Sequence, residues 1–204
     1  MRQATIAKPK NSGRKRLFDN PVLERLTRTN SAVPISIFVL FAAGLLTYAF
    51  VMANLPYLAI GLLFFAGLFA LTLAEYLMHR YVFHMSTHTH IRSKIQYAIH
   101  GVHHEFPKDE ERLAMPPVLS VTILFVLLGI TDLLMNAYAF AFLPGFVLGY
   151  AGYLFMHYIT HAYPPPKNWF RWLWINHSIH HYKNGEKAFG VSSPLWDYVF
   201  GTMP

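Results

Sequence analysis

Residues 33–53 read VPISIFVLFAAGLLTYAFVMA and carry no charged side chain, and no Asp, Glu, Lys or Arg lies between Thr29 and Ala74. A helix rises about 1.5 Å per residue, so a run of this length spans roughly 30 Å, the hydrocarbon thickness of a bilayer. We therefore expect an integral membrane protein whose first spanning helix covers residues 33–53.

Three further apolar runs lie at residues 57–78, 118–134 and 138–159. Asn54-Leu55-Pro56 and Asn136 separate the runs within each pair and are typical of tight turns. Pro144 lies inside the fourth run, where proline kinks or breaks a helix. The sequence predicts an all-α membrane protein with four transmembrane helices arranged as two hairpins.

The two hairpins place the polar segments on one side of the membrane. The tight turns lack Lys and Arg, whereas many basic residues precede the first run, at Arg2, Lys8, Lys10, Arg14, Lys15, Arg16, Arg25 and Arg28. Positively charged flanks mark the cytoplasmic side. We expect residues 1–30 to be a basic cytoplasmic tail, partly disordered or with a short interfacial helix at 18–26. Residues 31–204 form the membrane domain, with a cytoplasmic helical cap made of residues 79–117 and 160–204.

The composition supports a membrane environment and excludes several kinds of chemistry. Hydrophobic residues make up 54% of the chain and charged residues 13%, about half the charged share of a soluble domain. The net charge of +7 gathers beside an apolar run, which is typical of contact with lipid headgroups. We expect no nucleic-acid partner. The absence of cysteine excludes disulfides, thiolate metal ligands and a cysteine nucleophile. The bacterial inner membrane is the expected location, with the endoplasmic reticulum as the alternative.

The chain has 12 histidines, and none precedes His79. Ten of them form four clusters at or beyond the ends of the spanning runs: His79 with His84, His100 with His103 and His104, His157 with His161, and His177 with His180 and His181. We interpret the other two, His88 and His90, as surface residues. Four separate parts of the chain thus deliver imidazoles to one plane, which predicts a metal site there.

The spacing within the clusters indicates how the imidazoles converge. Positions i, i+3 and i+4 share a helical face, so each HxxHH element offers three imidazoles to one place. His79 and His84 are five apart, so the helix must loosen between them or they must serve different metals. Ten ligands are too many for one ion and suit two ions with five each. We expect Glu75 either to hydrogen-bond a ligating imidazole or to form a salt bridge with Arg80 or Arg92. Asp109 and Asp197 are expected to be supporting carboxylates or loop anchors.

Three stretches carry a resemblance to a known family. They are EYLMHRYVFHM at 75–85; HGVHH at 100–104, followed by Pro107, Asp109, Arg112-Leu113 and Pro116-Pro117; and HSIHH at 177–181, followed by Phe189-Gly190 and Leu195-Trp196-Asp197-Tyr198. From about residue 30 to its end the chain resembles the fatty acid hydroxylase superfamily of membrane di-iron enzymes, and within it the fatty acid 2-hydroxylases that act on ceramide acyl chains. It departs from them at Leu154, where relatives usually carry Asp after Tyr153.

The resemblance implies that the ten clustered histidines hold two iron ions, with O2 as co-substrate and zinc able to occupy the same ligands. It implies hydroxylation at C2 of a fatty acyl chain, either free or amide-linked in a sphingolipid. The chain carries no cytochrome b5 domain, so we expect a separate electron donor, cytochrome b5 or a ferredoxin-type protein with its reductase. An acyl chain would reach the centre between spanning helices, past Tyr153, Phe155 and Tyr158.

Two alternatives remain from the sequence. The same centre is used in desaturation and in sterol or carotenoid oxidation, and the HxxHH elements do not separate these reactions. A histidine-rich membrane metal transporter is the second alternative. It would place ionisable residues along its spans, and here the apolar runs are nearly free of them.

Overall fold

The computed structural model describes residues 8–204, and the regular structure within that range is entirely helical. The α-helices are α1 (Pro21–Leu26), α2 (Ala32–Val51), α3 (Tyr57–Leu77), α4 (His90–Gln96), α5 (Val102–Glu105), α6 (Pro117–Met135), α7 (Ala139–Ala162), α8 (Arg171–Tyr182) and α9 (Leu195–Val199). Two π-helical segments (Met78–Phe83 and Tyr97–Gly101) and two 3₁₀ turns (Glu110–Arg112 and Asn136–Tyr138) connect them. The predicted all-α class is confirmed.

Three stretches of the described chain are long and apolar enough to cross a membrane: Ala32–Val51, Tyr57–Phe83 and Glu110–Ala162. The third has 53 residues and contains both α6 and α7. The chain turns between these two helices at Asn136, whose φ of 51° and ψ of −136° are a positive-φ turn geometry that Gly, Asn and Asp adopt more readily than other residues. The bounds of the four long helices lie within three residues of the predicted apolar runs.

The four long helices alternate in direction. Phe38 and Tyr48 of α2 contact Tyr150 and Phe140 of α7, with ring centroids 4.9 and 4.4 Å apart, so α2 and α7 are antiparallel. α6 is antiparallel to α7 as well, because the Leu113 carbonyl just before α6 lies beside His157 near the end of α7. The contacts between α3 and α7 advance in the same direction along both helices, so that pair is parallel.

Glycine brings α3 and α7 into backbone contact. A Cβ built on Gly67 would lie 2.1 Å from the Phe142 carbonyl oxygen, and one on Gly145 would lie 1.9 Å from the Phe64 carbonyl oxygen. Only a residue without a side chain permits such an approach. Pro144, expected to kink or break the helix, lies in an uninterrupted α7. Its missing N–H removes the hydrogen bond to the Phe140 carbonyl oxygen, and its ring crowds that carbonyl.

Apolar side chains fill the space between α2, α6 and α7 and also cover the outer helix surfaces. The inner cluster includes Phe38, Leu124, Leu143 and Leu154. Outward-facing residues such as Leu133 are exposed. A helix that is hydrophobic all round belongs inside a bilayer.

Within the described range, residues of the N-terminal segment contact the cap. The Arg28 guanidinium lies 3.3 Å from the buried Asp109 carboxylate, and Arg112 lies 2.6 Å from Glu24. Lys10 binds Glu105 through both its backbone N–H and its ammonium group. The alternative, a short helix within 18–26, is present as α1, which exposes apolar side chains. Arg2 lies outside the described residues.

Candidate metal centre

The ten clustered histidines lie together at one end of the helical bundle, in two groups of five. The first group is His79, His84, His100, His104 and His180, and the second is His103, His157, His161, His177 and His181. Within each group, one ring nitrogen from every residue lies within 4.8 Å of the others. Nine of the ten residues are buried, and His84 is half-buried. His88 and His90 are exposed and belong to neither group.

A π-helical turn explains how His79 and His84 reach the same group. α3 continues into Met78–Phe83, where the His84 N–H donates to the His79 carbonyl oxygen at 3.1 Å. In a π-helix the hydrogen bond joins residues five apart, so the two side chains come onto one face. The predicted loosening of the helix is therefore present, and it makes separate destinations for the two residues unnecessary.

Each HxxHH element divides between the two groups, which corrects the expectation that all three imidazoles reach one place. His100 and His104 belong to the first group and His103 to the second. Along a helix, position i+4 lies about 40° to one side of i and position i+3 about 60° to the other. A single helical turn therefore presents two imidazoles to one group and one to its neighbour. In the element at 177–181, His177 and His181 belong to the second group and His180 to the first.

Backbone carbonyls orient three of the imidazoles. The Nδ1 atoms of His79, His180 and His157 lie 2.5, 2.8 and 3.2 Å from the carbonyl oxygens of Phe189, Lys187 and Leu113. A carbonyl oxygen only accepts, so each Nδ1 carries the hydrogen. The Nε2 lone pair is then left facing the other histidines, which is the arrangement that a metal-binding imidazole needs.

The Nε2 atoms converge too closely for hydrogen bonding alone to satisfy them. His100 Nε2 lies 3.1 Å from that of His79 and 2.9 Å from that of His104. His103 Nε2 lies 3.0 and 3.1 Å from those of His157 and His181. One hydrogen on a shared Nε2 satisfies only one of its two neighbours. A cation between the rings would receive all the lone pairs, so the donor set fits a metal ion in each group.

The histidines outside the spanning stretches are held neutral, as metal ligands must be. Burial, together with the smaller electrostatic effect of a neighbouring histidine, lowers the pKa of His84 and His180 to about 3. The pKa values of His100, His103, His104, His177 and His181 are lowered for the same two reasons, burial first.

Two of the predicted carboxylates act on one loop rather than on an imidazole. Among the described residues Glu75 bonds no histidine, contrary to expectation. Its carboxylate accepts hydrogen bonds from the backbone N–H groups of Val191 and Ser192 and from the Ser192 hydroxyl. Asp197 accepts from the N–H groups of Phe189 and Gly190, at 2.9 and 2.7 Å. The loop at 189–192 lies between Glu75 of α3 and Asp197 of α9. Each carboxylate therefore binds the backbone of this loop instead of an imidazole ring.

Asp109 anchors the N-terminal segment. Its side chain is fully buried and lies within 4 Å of Arg14, Arg28 and Arg112, and none of its ion-pair partners among the described residues is a histidine. Charge pairing therefore joins the chain just beyond the first HxxHH element to residues 14–28. The sequence could not show this connection, because Arg14 and Arg28 lie more than eighty residues before Asp109.

The three aromatic residues predicted to line an acyl path separate into two places. Tyr153 and Phe155 border a cavity between α3 and α7, whereas Tyr158 lies elsewhere and donates its hydroxyl hydrogen to Glu110 at 3.3 Å. Leu154 is 2% exposed and packs in the apolar core. Position 154 thus faces the interior of the bundle, where the leucine is an ordinary packing residue.

Together, the helical bundle and the paired histidine groups define a helical protein with membrane-spanning character and a candidate dinuclear histidine centre. The family model for fatty acid hydroxylases matches residues 64–202. The chain belongs to the fatty acid hydroxylase family, and it is an oxidoreductase of the hydroxylase class.

Several characterised relatives are similar over most of the chain. A dihydroceramide fatty acyl 2-hydroxylase of Arabidopsis thaliana is 35% identical over 93% of this chain and 80% of the relative. A ceramide very long chain fatty acid hydroxylase of Schizosaccharomyces pombe is 36% identical over 95% of this chain, and the rat fatty acid 2-hydroxylase is 34% identical over 80%. The chain spans only 56% and 44% of the lengths of these last two proteins.

One solved structure shares the fold closely. The structure of full-length scs7p, in which only the hydroxylase domain is visible, matches with a TM-score of 0.83 and 33% sequence identity. The match covers 92% of this chain and 71% of that one. At this identity and TM-score the arrangement of the helices is shared with that structure.

Proposed function

We propose that the protein is an O2-dependent di-iron hydroxylase that adds a hydroxyl group at C2 of a fatty acyl chain, either free or amide-linked in a ceramide-type lipid. The observation that carries the proposal is the convergence of ten imidazoles into two groups of five. The relatives supply the substrate class, since their names specify fatty acyl and ceramide 2-hydroxylation.

The ligands of the two ions would be the ten clustered histidines, five for each. When bound, the two irons would supply O2 activation and the oxidising power for an unactivated C–H bond, which no side chain provides. Zinc accepts the same imidazole ligands and would occupy the centre in some preparations.

The chain's own residues would hold the centre rigid and dry. The carbonyl groups of Phe189, Lys187 and Leu113 fix the orientation of three rings. Asp197 and Glu75 hold the loop at 189–192 that supplies the first of these carbonyls. Burial of nearly all the ligands keeps bulk water away from the reacting carbon.

Four membrane crossings are part of this proposal, and the alternating directions of the four long helices support them. In this arrangement the 53-residue stretch enters and leaves the bilayer as α6 and α7. The cap, the histidine centre and both termini would lie in the cytoplasm, since the turn at Asn136 carries no basic residue. We retain the membrane domain as residues 31–204 and the inner membrane of a bacterium as the location, with the endoplasmic reticulum as the alternative.

A separate electron donor, cytochrome b5 or a ferredoxin-type protein with its reductase, would reach the centre from the cytoplasmic side. The substrate's polar head would stay at the same interface while its acyl chain remains in the bilayer. A carbon near the head is then the one that comes closest to the histidines, which favours reaction at C2.

The competing functions have less support. Desaturation and sterol or carotenoid oxidation would use the same centre, but the relatives above are hydroxylases by name. A metal transporter needs exchangeable ligands along a path. Here the two groups are closed by burial and lie at one end of the bundle.

Lipid mass spectrometry tests the proposal directly. The chain, His104→Ala and the exposed-site control His88→Ala are expressed with an electron donor in a host that makes no 2-hydroxylated lipids. We expect one added oxygen at C2 of acyl chains with the first and third proteins and none with His104→Ala. Loss of two hydrogens instead would indicate desaturation, and unchanged lipids with an active donor would refute the hydroxylase assignment.

A further inference from the structure

A groove of about 380 Å³ lies between α3 and α7, apart from the histidine groups; we call it the α3–α7 groove. Its walls are mostly apolar and include Leu68, Leu71, Phe155 and Met156. Phe155 is 53% exposed on the outer side of the bundle. The groove therefore opens on a surface that would contact lipid.

The glycines of the two helices explain why the groove opens where it does. α3 and α7 touch through their backbones at Gly67 and Gly145. Toward the histidine end the helices separate, and a Cβ built on Gly152 would meet no atom within 4 Å. Gly152 thus forms part of the wall without filling the space in front of it.

The groove ends beside the second histidine group. Tyr153 lines it, is 7% exposed, and stacks on His157 with ring centroids 5.7 Å apart and planes 8° apart. Ser192 lines the same end, and its N–H and hydroxyl are both bound to Glu75. The cavity therefore connects the lipid-facing surface with a side chain that touches a candidate metal ligand.

We propose that the α3–α7 groove holds the alkyl chain of the substrate's acyl group and that Gly152 is the residue that keeps it open. This inference rests on the hydroxylase function proposed above and adds where the chain lies. The apolar walls and the lipid-facing opening suit a hydrocarbon chain and exclude a charged headgroup. The volume is near the lower limit of ligand cavities, about 300 Å³, so the groove accommodates one chain rather than two.

The first test fills the groove with a side chain. Gly152→Leu places an apolar group in open space, and it replaces glycine with a better helix former, so the fold is retained. Gly129→Leu is the matched control, because Gly129 is an exposed glycine of α6 where an added Cβ would also meet no atom within 4 Å. We expect about tenfold less 2-hydroxylated lipid per amount of protein for Gly152→Leu, equivalent to about 1.4 kcal/mol, and less than about twofold change for the control. Equal yields from the two variants would overturn the inference.

The second test locates the chain without relying on turnover. A ceramide analogue with a diazirine in its acyl chain is incorporated into phosphatidylcholine vesicles with the full-length protein and irradiated, and the adducts are mapped by peptide mass spectrometry. We expect adducts at residues 68–72 and 152–156, present in Gly129→Leu and lost in Gly152→Leu. Adducts only outside these segments would overturn the groove assignment.

The two tests also separate this inference from the proposed function. Adducts in the groove without any hydroxylated product would leave the lipid site standing and remove the hydroxylase function. Hydroxylated product together with adducts elsewhere would retain the function and remove the groove.

Discussion

Nδ1 of His79 lies 2.5 Å from the carbonyl oxygen of Phe189, although the two residues are separated by 110 positions in sequence. The N–H of Phe189 in turn donates to the Asp197 carboxylate at 2.9 Å. One peptide segment thus connects a buried carboxylate to a candidate metal ligand. Asp197 acts on the centre through the backbone that it holds, and this makes it a positioning residue.

Replacing Asp197 should loosen the first histidine group. In Asp197→Asn an amide group would replace one of the oxygens that accept from Phe189 and Gly190, leaving a buried N–H unpaired. Such a loss costs about 1–3 kcal/mol. We expect a lower unfolding temperature and about one metal ion fewer per chain, measured by differential scanning fluorimetry and elemental analysis. The control is Asp132→Asn, which changes an exposed aspartate of α6 and should alter neither the unfolding temperature nor the metal content. Full metal content in Asp197→Asn would contradict the positioning role.

The division of the HxxHH element predicts that neighbouring histidines serve different ions. His104→Ala should weaken the ion held by the first group, and His103→Ala the ion held by the second. Each variant should retain about one of the two ions, because the other group keeps all five ligands. Anomalous diffraction at the metal edge identifies which ion remains. Loss of the same ion from both variants would refute the division, and His88→Ala should retain both.

Backbone contact between α3 and α7 predicts a large effect from a small substitution. Gly145→Ala would place a methyl group 1.9 Å from the Phe64 carbonyl oxygen, so the helices must separate. Overpacking of this kind typically costs about 1–3 kcal/mol. We expect a reduced thermal stability in detergent, while Gly129→Ala, which meets open space, should be neutral or slightly stabilising. Wild-type stability in Gly145→Ala would show that the two helices pack less closely.

The N-terminal segment should detach from the cap in acid. Burial raises the pKa of Glu24, but hydrogen bonds from Leu17, Arg28 and Phe18 and the charge of Arg112 outweigh it and lower the pKa to about 2. The group titrates near 4.5 when unfolded. A carboxylate with a depressed pKa stabilises the fold above pH 4.5, and its contribution is lost as pH falls toward 2.

Hydrogen exchange measures this contribution locally. Residues 15–28 of the wild-type protein should be better protected than in Glu24→Gln at neutral pH, and the difference should shrink between pH 4.5 and 2. A difference that persists unchanged at pH 2 would exclude the Glu24 ion pairs as its source. Asp19→Asn is the control, since Asp19 lies in the same segment and forms no ion pair among the described residues.

The sequence by itself determined the class of the fold and the members of the candidate site. Uncharged runs of about twenty residues form helices in a bilayer because every backbone polar group is satisfied within the helix. That local requirement fixed the positions of α2, α3, α6 and α7 to within a few residues. Ten histidines clustered beside these runs predicted a metal site from the sequence, and the structure brings the same ten side chains together.

Only the tertiary structure decided how those residues are shared and supported. Whether His103 joins His100 or His157 depends on which helices pack around its turn, and the five-residue spacing of His79 and His84 required a π-helix that composition does not show. The Phe189 carbonyl, the arginine partners of Asp109 and the opening at Gly152 all depend on residues that meet from distant parts of the chain. Contacts of this kind are set by packing of whole elements, and no local pattern around a residue records its distant partner.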